Sequence, residues 1–92
     1  MTAVLYAPSE PKLFEPNSVE YMMSSKLRYV DVDWERATQA AARVMQAGGQ
    51  VEMNVWCQPA EQAAMVAAFV CAGFKNVVAR GVGVGVMLTA VW

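Results

Sequence analysis

The 92-residue chain is 57% apolar and only 16% charged, with a formal net charge of −1 and no histidine. That balance gives no electrostatic basis for gripping nucleic acid or an anionic membrane surface, and it removes the commonest general base and metal ligand. A single domain over 1–92 is expected, and an apolar content above the usual ~45–50% points to association with other copies or partners.

Residues 2–7 read as a short strand. Residues 8–17 carry Pro8, Pro11 and Pro16 among polar residues, which predicts an extended arm or loop. Ser18 followed by Glu20 predicts a capped short helix over 19–24, with Tyr21, Met22 and Met23 on its apolar side. Leu27 to Val32 reads as a strand.

Asp33 suits a helix cap and Glu35 the first turn. Trp34, Ala37, Ala41, Val44 and Met45 recur at helical spacing, while Glu35, Arg36, Gln39, Arg43 and Gln46 fill the opposite face. This predicts an amphipathic helix to about residue 47, ended by Gly48-Gly49. From 51 to 57 the period changes to two: Val51, Met53, Val55 and Cys57 alternate with Glu52, Asn54 and Trp56, as in a strand with one inward face.

The next element has the clearest ends in the chain. Pro59 fits the first helical position, Glu61 complements the helix dipole, and Gly73 with Phe74 makes a left-handed stop with a hydrophobic fold-back. Between Gln62 and Gly73 the helix 59–72 has no polar side chain. A helix apolar all round is covered on most sides, and a chain this small offers little interior to surround one. An interface between copies is therefore expected, with Met65 and Phe69 on the helix and Leu88 and Trp92 on the terminal strand as its residues. Beyond Lys75-Asn76, a strand at 77–80 and another at 86–92 predict a C-terminal hairpin. The glycines at 81, 83 and 85 leave two readings open for 81–84, a turn or a continuous strand.

The run from Arg43 to Val51 (Arg-Val-Met-Gln-Ala-Gly-Gly-Gln-Val) and the step Ala72-Gly73-Phe74-Lys75-Asn76-Val77 resemble the C-terminal part of class I S-adenosylmethionine-dependent methyltransferases. The first resembles that family's helix, glycine pair and fifth strand, the second its step into the final hairpin. The resemblance covers residues 43–92 and implies an α/β sandwich. It carries over no cofactor residue, because the family's cofactor loop is glycine-rich and residues 1–42 contain no glycine.

Candidate chemistry is sparse. Glu52, Asn54 and Trp56 share the polar strand face, where two hydrogen-bonding groups beside an aromatic plane would suit ligand binding. Asp31, Asp33 and Glu35 are better explained by a strand end, a cap and a first-turn charge than by a metal site. Cys57 and Cys71 have neither metal nor redox spacing and read as buried free thiols. With no leader-like or membrane-length segment, a cytoplasmic location is expected.

These readings predict an α/β fold (α+β as the alternative): a two-layer sandwich with a mixed sheet of four to five strands, two main helices and a C-terminal β-hairpin. The expected function is a non-catalytic, homo-oligomeric binding module, with no cofactor and no metal. It would recognise a protein partner or a small, largely apolar ligand in a cleft at the subunit boundary, through Glu52, Asn54 and Trp56. A small or degenerate methyltransferase-like enzyme and a purely structural oligomerisation domain are the alternatives.

Overall fold

The computed structural model describes residues 14–83 and 85–92. The strands are β1 (Val19–Arg28), β2 (Met45–Trp56), β3 (Lys75–Val82) and β4 (Gly85–Val91). The helices are α1 (Trp34–Val44) and α2 (Pro59–Ala72), and a 3-10 turn at Tyr29–Asp31 leads from β1 toward α1. The sheet is mixed, in the order β1-β2-β4-β3. β1 runs parallel to β2, and β4 is antiparallel to both β2 and β3. This is the predicted α/β arrangement, with four strands among the described residues.

One sheet face forms the core. Met22 of β1, Val51, Met53 and Val55 of β2, and Val86, Leu88 and Ala90 of β4 are buried there with Trp34, Ala41, Val44, Met65 and Phe69 of the two helices. A row of rings crosses this layer. Tyr29 stacks on Trp34 at 5.7 Å, Trp34 meets Phe69 at 6.2 Å, Phe69 meets Phe74 at 5.2 Å, and Phe74 meets Trp92 at 5.0 Å. Such tilted and edge-on pairs add attraction beyond the area they bury.

The helix ends follow the side-chain chemistry. The Asp33 carboxylate accepts the Arg36 N–H at the start of α1. At the start of α2 the Gln58 N–H donates to Glu61 Oε1 at 2.7 Å. Gly73 takes φ 106 at its end, a left-handed geometry suited to glycine. Phe74 then folds back onto the helix, its N–H donating to the Phe69 carbonyl.

Three expectations are corrected. The short helix over 19–24 is instead the first part of strand β1. The Ser18 hydroxyl donates backward to the Glu15 carbonyl at 2.6 Å rather than capping a following turn. The strand expected over 27–32 stops at Arg28. There the chain coils, held by the Arg28–Asp31 ion pair and by the Trp34 indole N–H donating to the Tyr29 carbonyl. The helix expected to reach residue 47 ends at Val44, because Met45 already pairs with Val19 in the sheet. The open question at 81–84 resolves as a hairpin: Val82 pairs with Gly85, and Gly83 has φ 59. The strand expected at 2–7 and most of the 8–17 arm lie outside the described residues.

Candidate functional site

Both helices pack on the same side of the sheet, so the polar-side residues of the strands line an uncovered face. Strand register places those residues in rows. Met23, Glu52, Thr89 and Val78 form one, and Asn54, Met87 and Arg80 the next. At the carboxyl ends of the two parallel strands Arg28 stands beside Trp56, the edge at which open α/β sheets commonly bind ligands. Trp56, Val78 and Met23 remain 48%, 45% and 38% exposed, a large apolar contribution for a free surface.

The three predicted ligand-binding residues all project onto this face, each in a different setting. Glu52 is half-buried and accepts a 2.6 Å hydrogen bond from the Tyr21 phenol through Oε2. Asn54 and Trp56 lie over Gly85, where a Cβ would come within 2.9 Å of Asn54 Oδ1 and 3.0 Å of Trp56 Cδ1. Bare backbone at residue 85 is what lets both side chains settle against β4. A concavity of ≈ 290 Å3 opens beside Glu52, lined by Tyr21, Gln50, Asn76, Val78 and Thr89 among others. Asn54 and Trp56 are not part of that lining.

The bond to Glu52 raises the Tyr21 phenol above its ordinary value, with burial and the carboxylate's charge acting in the same direction. A raised phenol favours the neutral form. Its contribution to stability is complete below the unfolded-state value near 10 and is lost as pH rises through the folded-state value. One tyrosine is therefore expected to ionise late in an alkaline titration followed by ultraviolet absorbance, and that late phase should be absent from Tyr21→Phe.

The other candidates separate. Asp31 is paired with Arg28, Asp33 caps α1, and Glu35 lies in its first turn. Among the described residues no group of acids, cysteines or histidines could hold a metal ion. The expectation of two buried thiols is corrected: Cys71 is exposed on α2 and Cys57 is partly exposed at the end of β2. Burial, and then the nearby Glu61 charge, push the Cys57 thiol up. That disfavours the thiolate a nucleophile requires.

The residues expected at an interface are placed as follows. Met65, Phe69 and Leu88 are at most 1% exposed within a single chain, so its own core uses them. Trp92 is half-buried against Phe74. The outward side of α2 is made instead of Ala60, Ala63, Ala64, Ala67 and Cys71, with Val70 55% exposed. Between α2 and α1 runs a groove of ≈ 700 Å3, floored by alanines and edged by Asp33 and Glu35. The groove is not legible from residue order alone, because an all-apolar helix has no phase from which to orient its faces.

No family model and no curated protein matches the chain. Solved structures do resemble its fold. The antibiotic-resistance methyltransferase Kmr aligns with a TM-score of 0.62 and 14% identity, over 83% of this chain and 51% of its own. A complex between the Haloferax volcanii Trm112 methyltransferase activator and a putative methyltransferase aligns with a TM-score of 0.68 and 14% identity, over 85% and 56%. A predicted O-methyltransferase from Agrobacterium tumefaciens aligns with a TM-score of 0.60 and 17% identity, over 84% and 38%. The chain thus has a methyltransferase-like fold, as the resemblance of residues 43–92 implies, and spans about half the length of the first of these structures.

Proposed function

We propose that this chain is a methyltransferase-like binding module that transfers no methyl group by itself and works by association through the outer edge of β1. The observation that carries the reading is a sheet that, among the described residues, is covered by helices on one face, with its parallel strand β1 paired to β2. Parallel pairs normally occur in sheets closed in on both faces. A strand at the edge of the described sheet offers a place for another strand to pair. The fold it resembles recurs in proteins of about twice the length, and one of those structures is a complex with an activator protein. The second point supports a module that works beside a neighbour.

The occupant proposed for the edge is a second copy. Pairing of β1 with β1 across a two-fold axis is self-complementary, the commonest form of assembly. It extends the sheet and leaves the face carrying Glu52, Asn54 and Trp56 free for a ligand near the boundary. No helix among the described residues is long and apolar enough to cross a membrane.

Two measurements test the reading. Light scattering on a sizing column at two concentrations should give a dimer; a monomer at both would remove the second copy as occupant. Thermal unfolding with millimolar S-adenosylmethionine should show no stabilisation. A ligand present at a hundred times its Kd would add about 2.7 kcal/mol, and a shift of that size would favour the enzyme reading instead.

A further inference from the structure

We infer that the concavity beside Glu52 is a site for a small primary amine, held by its ammonium group on the Glu52 carboxylate. This goes beyond the association reading and does not depend on it, because the pocket lies on the sheet face within one chain.

The argument begins with the charges. Among the described lining residues Glu52 is the only one with an acidic or basic side chain besides the phenol of Tyr21, and the others are neutral amides, a hydroxyl and aliphatic residues. A half-buried carboxylate with no cation beside it among the described residues favours a cationic ligand over an anionic or neutral one. Tyr21 supports the same choice. Its hydroxyl binds Oε2 at 2.6 Å, which fixes the carboxylate's orientation and leaves Oε1 to accept from the ligand. Gln50, Asn76 and Thr89 add neutral groups around an ammonium that has three N–H donors to place.

Size and shape narrow the class. The volume of ≈ 290 Å3 equals roughly ten waters at ~30 Å3 each, room for a molecule of few heavy atoms. Val78, which is 45% exposed, gives the wall an apolar side for a short branched alkyl chain. Asn76 holds φ 52 where the β3–β4 register shifts between Lys75 and Val78. That local departure from regular pairing sets the Asn76 side chain at the rim rather than in the alternation of the strand. A short aliphatic monoamine meets all of these features.

The test is titration of the whole chain with isobutylamine, using its neutral isostere isobutanol as control, followed by amide chemical shifts. Saturable shifts centred on Glu52, Asn76 and Thr89 are expected, with isobutanol weaker by about tenfold or more, since a charge-assisted bond is lost. Glu52→Gln should weaken the amine by about the same factor while the spectrum keeps its dispersion. Tyr21→Phe should retain amine binding, because both carboxylate oxygens remain. Equal binding of the alcohol, unchanged binding by Glu52→Gln, or shifts centred elsewhere would overturn the assignment. The readout is independent of chain mass and of S-adenosylmethionine, so the site can fail while the association reading stands, and the reverse.

Discussion

Phe69→Ala is expected to lower stability by about 3–5 kcal/mol, the usual range for emptying a large aromatic site. Phe69 is 1% exposed and is the middle ring of the row from Tyr29 to Trp92, touching Trp34 from α1 and Phe74 from the turn after α2. Its loss removes the link between the helices and the terminal strand together with its own buried area. Since domains of this kind are stable by only ~5–15 kcal/mol in all, the variant should lose a large fraction of its stability and unfold at a much lower temperature. Phe69→Leu keeps most of the volume and should lose under about 1.5 kcal/mol. Urea unfolding followed by tryptophan fluorescence measures both. The result also separates two roles for this residue. An interface side chain would change oligomer mass and leave the monomer's stability nearly intact, whereas a core side chain does the opposite. A loss below about 1 kcal/mol would contradict the core placement.

The same residue shows what the sequence made legible. The limits of α2 were readable to the residue because Pro59, Glu61, Gly73 and Phe74 each do local work that does not depend on tertiary structure. The facing of α2 was not readable, since apolar residues all round carry no direction. Bulk was the missing signal. Met65 and Phe69, at i and i+4, are the large side chains that fill the core, and the small ones turn outward. In β2, by contrast, period two identified the inward set Val51, Met53 and Val55.

Strand β1 was misread because Ser18 and Glu20 match a helix start, whereas Val19, Tyr21 and Met22 pair with β2. Pairing partners tens of residues away decided the outcome, as is usual for strands. That misreading also hid part of the site. Glu52, Asn54 and Trp56 were identifiable from the parity of one strand. The Tyr21–Glu52 bond spans 31 residues and exists only once β1 lies alongside β2.

Gly49→Ala is the second substitution expected to have a large effect, and its cause is backbone rather than side-chain packing. A Cβ at residue 49 would lie 2.9 Å from the Val19 carbonyl oxygen, 2.9 Å from that of Gln46 and 2.7 Å from Met45 Cε. The methionine end can move; the two carbonyls belong to strands already fixed by the sheet. The chain here makes its irregular step, from the Val19–Met45 pair to the Tyr21–Gln50 pair. The Gly49 carbonyl also accepts the Trp92 N–H at 2.9 Å. Relieving the collision therefore means separating β1 from β2 at its start, at a cost of about 1–3 kcal/mol. For a domain of this size that is a fall of roughly 4–8 °C in Tm per kcal/mol.

Two neighbours calibrate the effect. Gly48 has open space around it but φ 81, so alanine there should cost about 1–2 kcal/mol from backbone strain alone. Gly81 has open space and carries no left-handed φ, and alanine there should stay within about 0.5 kcal/mol. Because residue 49 supports the start of β1, its substitution should also weaken any dimer formed through that edge, which Gly81→Ala should leave intact. Equal stability of the Gly49 and Gly81 variants would mean that the β1–β2 junction yields freely, and the edge would then be too soft to serve as a docking strand.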